Sequence, residues 1–249
     1  MTLAESLQQV REGISRAAKK SGRNPSDIKL VAVSKTVNLQ RILEGIAAGI
    51  DILGENKVQE AQRKIAELRT QHSRSPSSRD IIPIERIRWH LIGHLQKNKV
   101  KTAVKLFDVI HTVDSAALAQ EISNSAGKIG KTQDILVQVK LSDEISKHGI
   151  QEDALGDLLT IIAGMDNLRL TGLMTMPPYF ENPDLTRPYF KQLYMIAEKM
   201  KEKGFAVREL SMGMSHDYEI AIEEGSTMVR VGTGIFGERQ ISAHQGRSV

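Results

Sequence analysis

The sequence predicts an α/β protein built as a (β/α)8 TIM barrel with an extra helix at its amino terminus. Eight short apolar segments rich in β-branched residues alternate with amphipathic segments at helical spacing. The chain has 249 residues, and one such barrel typically needs about 250. No glycine-rich fingerprint follows the first strand, which disfavours the alternative of a doubly wound open sheet.

The predicted elements follow one another in order along the chain. Residues 1–22 place apolar side chains at helical spacing among charges, so they predict an amphipathic leading helix rather than a signal peptide. The predicted strands are Ile28–Ser34, Ile50–Gly54, Arg88–Ile92, Val109–Thr112, Ile135–Val139, Leu168–Leu173, Val207–Ser211 and Met228–Val231. The predicted helices are Leu39–Ala48, Val58–Arg69, Val100–Leu106, Ala116–Gly127, Gln151–Ala163, Asp184–Lys203 and Tyr218–Glu224.

We expect residues 1–249 to form a single domain. The serine-rich stretch that begins at Thr70 predicts a flexible surface loop over residues 70–85. Residues 240–249 predict a polar tail. Because little chain follows the eighth strand, we expect no second folded domain.

Composition excludes several classes of function. The chain contains no cysteine, so disulfides, thiolate metal sites and cysteine nucleophiles are excluded. Its apolar stretches are far shorter than the roughly 20 residues that span a bilayer, so we expect a cytoplasmic protein without membrane contact. The net charge of +4 is spread among acids without an arginine-rich arm, which argues against nucleic-acid binding. A modest positive charge suits an anionic small ligand.

Lys35 is the most informative residue of the sequence. It follows the apolar run Lys29–Ser34, and the active site of a barrel lies at the carboxyl ends of its strands. A desolvated amine in that position is nucleophilic and forms a Schiff base with an aldehyde. The alternative is a lysine that ends a strand and points to water.

The ends of the last two strands favour a phosphate site. Ser211 offers a hydroxyl, Gly232 and Thr233 offer backbone N–H groups, and Thr233 adds a second hydroxyl. Ser215 has an alternative role as the N-cap of the helix after Asp217. An amine and a phosphate site at one end of a barrel fit pyridoxal 5′-phosphate (PLP). A barrel that binds a sugar phosphate, with Lys35 only as a charge, is the other interpretation.

Arg230 lies on the last predicted strand and is expected to reach inward towards the ring of such a cofactor. An arginine can donate a hydrogen bond to a pyridine nitrogen but does not protonate it, so the ring stays a weak electron sink. The alternative for Arg230 is a salt bridge to Glu209 or Glu219.

Two further segments carry polar residues. His90 and His94 are four residues apart, but they lie on a predicted strand and loop rather than a helix, so they do not converge on one ion. We therefore expect no metal site. Lys147, in a polar loop after the fifth strand, is a second candidate for a ligand contact.

These residues resemble the pyridoxal phosphate homeostasis proteins, the YggS/PROSC family. The matching runs are Val31–Thr36, Gly54–Glu60, Trp89–Lys99, Ser146–Gly149, Gly172–Met176, Leu210–Ser215 and Gly225–Gly237. The resemblance implies a fold similar to the N-terminal barrel of alanine racemase. For the site it implies a Schiff base on Lys35, phosphate contacts from Ser211, Gly232 and Thr233, a ring-nitrogen contact from Arg230, and Asn56 beside the ring. Lys57 departs from the tyrosine that many relatives have.

The same resemblance implies a PLP-binding protein of intracellular PLP homeostasis, without established catalytic activity and therefore without catalytic residues. PLP-dependent apo-enzymes are its possible clients. Alanine racemase takes a second acid/base, a tyrosine, from an extra domain and partner subunit. We expect neither here, so we predict a monomer with one face of the cofactor open to solvent. The alternative is a PLP-dependent, racemase-like enzyme.

Overall fold

The computed structural model describes residues 1–74, 86–142, 144 and 148–238. In this part of the chain eight parallel strands pair in the order β1 to β8, and β8 pairs with β1 to close a barrel. This architecture confirms the predicted (β/α)8 barrel. The strands are β1 Lys29–Val33, β2 Ile52–Glu55, β3 Arg88–Leu91, β4 Val109–Val113, β5 Gln133–Gln138, β6 Leu168–Met174, β7 Glu209–Met214 and β8 Met228–Val231.

A helix precedes β1, and a helix follows every strand. The helices are α1 Leu3–Lys20, α2 Leu39–Ala47, α3 Val58–Arg74, α4 Val100–Leu106, α5 Ala116–Gly127, α6 Glu152–Ala163, α7 Arg187–Glu202, α8 Tyr218–Glu223 and α9 Thr233–Phe236. Because the strands are parallel, their carboxyl ends share one rim, which we call the mouth of the barrel. Across the described ranges, no helix is both long and apolar enough to cross a membrane.

Helix α1 confirms the predicted leading helix. It begins with a capping box, in which the Thr2 hydroxyl accepts from the Glu5 N–H and the Glu5 carboxylate accepts from the Thr2 N–H. The helix packs against α8 and α9. A Cβ at Gly13 would lie 2.1 Å from the Tyr218 hydroxyl oxygen, so the close approach of α1 to α8 requires glycine. Helix α1 therefore covers the barrel beside the seam of β8 and β1.

A small apolar cluster inside the barrel is separate from the main core. Its members are Val31, Val33, Ile52, Ile92 and Met228. Because successive side chains of a strand point to opposite faces, Arg230 faces the same side as Met228. The interior of the barrel therefore contains a guanidinium group, and only 3% of the Arg230 surface is exposed.

Helix α3 corrects part of the loop predicted over residues 70–85. The helix continues to Arg74, so residues 70–74 are helical. Thr70 is accommodated because its hydroxyl donates to the carbonyl oxygen of Ala66, one turn earlier, at 2.9 Å. Residues 75–85 and the predicted tail 240–249 lie outside the described residues.

Strand β7 also differs from its predicted bounds of Val207–Ser211. It covers Glu209–Met214, and its register with β8 shifts between Ser211 and Met214. Gly213 has a φ of +94°, a conformation that glycine adopts without a steric penalty. A Cβ there would lie 2.5 Å from the Cβ of Ala221 on α8. The bend thus depends on packing against α8, which a strand pattern does not reveal.

Candidate functional site

Lys35 lies at the mouth of the barrel, as predicted. Strand β1 ends at Val33, and the Ser34 N–H continues the pairing by donating to the Gly54 carbonyl oxygen at 2.9 Å. Ser34 is fully buried and Lys35 is partly buried. The chain then turns, and the Val37 N–H donates to the Ser34 carbonyl oxygen at 3.0 Å. Lys35 is therefore the first residue of the mouth that follows the buried part of β1.

The loop after β8 gathers backbone N–H groups around one oxygen atom. The Ser215 hydroxyl oxygen accepts from the N–H of Gly232 at 3.1 Å and from the N–H of Gly234 at 3.3 Å. Thr233, the first residue of α9, is exposed between them. We call residues 232–234 the Gly232 loop. Two N–H groups that converge on one oxygen are the arrangement with which proteins bind anions.

Ser215 is not the N-cap of α8, so that alternative is wrong. The N-cap position belongs to Asp217, whose side chain makes no capping hydrogen bond. The Asp217 carboxylate instead accepts from the Met214 N–H at 2.6 Å. This bond and the bend at Gly213 turn the chain after β7, which carries Ser215 to the Gly232 loop.

The Lys35 turn and the Gly232 loop are neighbours. Strands β1 and β8 pair with Ala32 opposite Val231, so the next residue of each strand leads into the mouth side by side. A Cβ on Gly232 would lie 3.3 Å from the Cβ of Val33. The amine-bearing turn and the converging N–H groups therefore lie on adjacent strands.

Arg230 forms no salt bridge with Glu209 or Glu219, which corrects that alternative. Glu209 pairs with Lys29, and the Glu219 carboxylate pairs with Arg16 at 2.8 Å. The Arg230 guanidinium instead donates to the Ser211 hydroxyl at 2.6 Å and to the Thr175 carbonyl oxygen at 3.0 Å.

Ser211 extends this contact into a line of buried side chains. His111 Nδ1 lies 3.0 Å from the Ser211 hydroxyl, and His111 Nε2 lies 3.0 Å from His90 Nδ1. We call these four residues the Arg230 chain. Ser211 therefore lies inside the barrel with Arg230, whereas Ser215 contacts the Gly232 loop.

The first hydrogen bond of the Arg230 chain has a fixed direction, because a guanidinium can only donate and the Ser211 oxygen therefore accepts. That oxygen has a second lone pair, so the directions of the two contacts through His111 and His90 depend on the tautomers of the imidazoles. Among the described residues His90 Nε2 has no hydrogen-bond partner.

Burial keeps both histidines of the chain neutral. It lowers the pKa of His90 to about 3, and the charges of Arg88 and Lys29 act in the same direction. Burial also lowers the pKa of His111 well below its usual range, with smaller effects from His90 and Arg230. Burial lowers the pKa of Arg230 to about 10, although Asp217 opposes the shift. At neutral pH the chain therefore joins one cation to two neutral imidazoles.

Asn56 is partly buried at the end of β2, also at the mouth. A Cβ on Gly93 would lie 2.3 Å from the Asn56 carbonyl oxygen, so the loop after β3 packs directly on the Asn56 backbone. The Thr112 hydroxyl donates to the Gly93 carbonyl oxygen at 2.9 Å. Three successive strand ends thus fix Asn56 in place.

His90 and His94 do not converge: His90 is inside the barrel, and His94 is exposed at the mouth. His94, Asp114 and His148 do offer ligand atoms within 4.8 Å of one another. The rings of His94 and His148 are stacked, with centroids 3.9 Å apart and planes 13° apart. The in-plane lone pairs of parallel rings do not point at a common ion. Lys147 lies outside the described residues.

The sequence analysis does not predict three contacts of the site. These are the contacts of Ser215 with the Gly232 loop, of His111 with Ser211, and of Thr175 with Arg230. His111 is a polar residue in the centre of the apolar strand Val109–Val113, a pattern that does indicate a side chain in the barrel interior. The Thr175 contact uses a backbone carbonyl oxygen, which no side-chain pattern reveals. For Ser215 the sequence leaves a helix cap as an alternative role, because its position before α8 fits a cap equally well.

Comparisons with known proteins identify the family of the chain. The family described as "Alanine racemase, N-terminal domain" matches residues 6–240. The chain is 40% identical to the "Pyridoxal phosphate homeostasis protein" of Aquifex aeolicus (strain VF5), over 96% of this chain and 100% of that protein. It is 38% identical to the protein of the same name from Escherichia coli (strain K12), over 96% and 98% of the two chains.

Among solved structures, PipY of Synechococcus elongatus PCC7942 with PLP bound is similar with a TM-score of 0.80. It is 35% identical, and the match covers 95% of this chain and 100% of that chain. The chain therefore belongs to the family of pyridoxal phosphate homeostasis proteins, whose barrel is that of the alanine racemase N-terminal domain.

Proposed function

We propose that this protein binds PLP at the mouth of its barrel, with Lys35 as the Schiff-base residue, and serves intracellular PLP supply. Its relatives are named for PLP homeostasis, and a 35% identical structure holds PLP. The observation that carries the proposal is the pair of N–H groups that meet at one oxygen beside the Lys35 turn.

The Gly232 loop fits a phosphate group. Its two N–H donors already share one oxygen ligand, the Ser215 hydroxyl. A phosphate oxygen can accept the same hydrogen bonds, and the Ser215 hydroxyl can then donate to the phosphate. The exposed Thr233 adds a hydroxyl and the first N–H of α9. We therefore assign Gly232, Thr233 and Ser215 to phosphate binding.

Ser211 is a less suitable phosphate ligand than predicted. Its hydroxyl oxygen accepts from Arg230 at 2.6 Å and lies 3.0 Å from His111 Nδ1. Both contacts belong to the Arg230 chain. The phosphate contact of Ser211 stays a prediction, and these bonds argue against it.

Arg230 fits the ring-nitrogen contact. Its guanidinium donates to Ser211 and Thr175, and neither Glu209 nor Glu219 pairs with it. The Asp217 carboxylate acts on its charge without a direct ion pair. Since the pKa of Arg230 stays near 10 even when buried, the group remains a donor at neutral pH. It can stabilise an unprotonated pyridine nitrogen but cannot readily supply the proton that makes the ring a strong electron sink.

The bound cofactor supplies an aldehyde. The Lys35 amine attacks the aldehyde carbon, a carbon–nitrogen double bond forms, and the carbonyl oxygen leaves as water with two protons from the amine. The reverse reaction returns free PLP, as a supply role requires. Transfer to PLP-dependent apo-enzymes, the monomeric state and the cytoplasmic location stay predictions.

The absorbance spectrum of the purified protein tests the proposal. A Schiff base to PLP absorbs in the near-visible, so we expect a yellow protein whose band disappears in K35A. K57A is the matched control, because Lys57 is an exposed lysine at the same rim. A band of unchanged intensity in K35A would refute the role of Lys35.

A second candidate function is a PLP-dependent amino-acid racemase-like enzyme, which the family fold favours. Such an enzyme exchanges the α-hydrogen of its substrate with solvent. Proton NMR of amino acids incubated with the protein in deuterium oxide distinguishes the two functions. Rapid exchange that depends on Lys35 would establish the enzyme, whereas the supply role predicts none above the rate of free PLP.

A further inference from the structure

The turn that carries Lys35 has an unusual backbone. Thr36 has a φ of +63°, and it is the one non-glycine residue with positive φ among those described. A β-branched residue is strained in this conformation. Surrounding contacts must therefore hold the turn in place.

Those contacts come from a buried ionic cluster beneath the turn. The Lys64 amine lies 2.7 Å from Glu55 Oε1 and 2.7 Å from Glu60 Oε1. Lys64 is 2% exposed and Glu55 is fully buried. We call these three residues the Lys64 cluster. It joins the end of β2 to the first turns of α3.

The Lys64 cluster binds the backbone on both sides of Lys35. The Lys64 amine donates to the Ser34 carbonyl oxygen at 2.6 Å. The Glu60 carboxylate accepts from the Thr36 N–H at 2.6 Å. The Ser34 hydroxyl also donates to Glu55 at 2.7 Å. The residues before and after Lys35 are thus fixed by one set of charges.

The pKa values of the Glu55 and Glu60 carboxylates shift in opposite directions. Burial raises the pKa of Glu55, although Lys64 and Ser34 oppose the shift. Burial also acts to raise the pKa of Glu60, but the hydrogen bonds from Lys64 and from the Thr36 N–H outweigh it and lower the pKa. Glu60 therefore stays ionised at neutral pH and accepts the hydrogen bond from the Thr36 N–H.

Stability alone is a weak reason for such a cluster. Replacing buried ion pairs by apolar side chains of similar volume is often neutral or stabilising, because desolvation of the charges offsets their attraction. A geometric role explains the cluster better. Its hydrogen bonds include those to the Ser34 carbonyl oxygen and from the Thr36 N–H. These two backbone groups flank Lys35 and determine the direction in which it leaves the strand.

We propose that Lys64 and Glu60 are positioning residues that orient the Lys35 amine for reaction with an aldehyde. This inference rests on the proposed function, in which Lys35 forms the Schiff base. It requires that the strained turn loses its conformation when the cluster is broken. Schiff-base formation then slows, because the amine samples many directions.

Rapid mixing of the cofactor-free protein with PLP measures this rate through the near-visible band. We expect K64M to lower the rate at least about tenfold relative to wild type. K131M is the matched control. Lys131 is a partly buried lysine that also donates to backbone carbonyls, those of Val104 and Phe107 at 2.7 Å each. It precedes β5, at the end of the barrel opposite the mouth, so K131M should leave the rate unchanged.

A second pair of variants separates positioning from a general loss of stability. E60A removes the acceptor for the Thr36 N–H, while E60Q keeps a carbonyl oxygen there. We expect E60A to be slowed like K64M and E60Q to react within about threefold of wild type. If K64M does not fold, this pair decides alone.

The outcomes distinguish the two proposals. A wild-type protein that forms no band with PLP refutes the proposed function itself. A wild-type protein that reacts, together with K64M or E60A reacting at the wild-type rate, overturns only the positioning role. Equal slowing of E60A and E60Q would also overturn it, because the acceptor would then not be the relevant feature.

Discussion

Lys64 and Arg230 are both buried cations close to the mouth, but their surroundings differ. Lys64 lies between two carboxylates, each 2.7 Å from its amine. Arg230 donates to a hydroxyl and a carbonyl oxygen, and in the described parts of the chain it makes no ion pair. Two carboxylates in direct contact neutralise the charge of Lys64, whereas Arg230 donates only to neutral groups and the Asp217 carboxylate acts on its charge without a direct ion pair. The Lys64 cluster holds the backbone on both sides of Lys35. Arg230 keeps a positive charge that can interact with a bound ligand.

The contrast extends to the groups behind each cation. Behind Arg230 lie two histidines that burial keeps neutral, so each ring can offer one donor and one acceptor to its neighbour. A protonated histidine there could not accept from its neighbour and would repel the guanidinium. The Arg230 chain therefore depends on neutral imidazoles, and the Lys64 cluster depends on an ionised Glu60.

The largest expected effect is acid destabilisation through the Arg230 chain. The pKa of His90 is about 3 in the folded state and about 6.5 when unfolded. Its stabilising contribution is therefore present above pH 6.5 and is lost as the pH falls towards 3. Between pH 7 and pH 5 the loss is about 2 kcal/mol for His90, and His111 adds a loss of the same sign.

Urea unfolding at pH 7 and pH 5 measures this difference. H90Q keeps a side chain that can form a hydrogen bond with His111 but does not titrate. The change in its free energy of unfolding between the two pH values should therefore be smaller than that of wild type by about 2 kcal/mol. H94Q removes an exposed histidine at the mouth and serves as the control. A pH dependence of H90Q equal to that of wild type would contradict the neutral chain.

A smaller effect distinguishes the two serines at the end of β7. S215A removes the hydroxyl beside the N–H groups of the Gly232 loop, so PLP affinity should fall about fivefold to tenfold, the effect of one hydrogen bond. Affinity for pyridoxal, which lacks the phosphate, should change little. Spectroscopic titration of both ligands gives the comparison.

S211A is the counterpart of S215A. Its hydroxyl belongs to the Arg230 chain, so we expect it to weaken binding of PLP and pyridoxal to a similar extent. If S211A weakened only PLP binding, that result would support the predicted phosphate contact from Ser211 and contradict the division of roles between the two serines.

The sequence predicts the barrel and the order of its strands, because both depend on local apolar patterns, but it does not predict the end of β7. Lys35 and Arg230 lie where the alternation of strands and helices places them. The division of roles between Ser211 and Ser215 could not be predicted, since it depends on the bend at Gly213. That bend combines the positive φ of Gly213 with its close packing against α8, which the strand pattern does not reveal.

The Lys64 cluster illustrates a second limit. Glu60 and Lys64 are four residues apart on α3, a spacing typical of solvent-exposed helix pairs. Only the packing of α3 against the end of β2 buries Lys64 beneath the Lys35 turn. A charged pair with a surface-like pattern thus lies inside the structure, which sequence spacing alone does not indicate.

The central claim is that Lys35 bonds covalently to a cofactor whose phosphate lies in the Gly232 loop. Reduction of the PLP-loaded protein with borohydride, followed by peptide mass mapping, tests it most directly. We expect one permanent PLP adduct, on the peptide and side chain of Lys35. An unmodified Lys35 after reduction, or an adduct confined to another lysine such as Lys57, would contradict the claim.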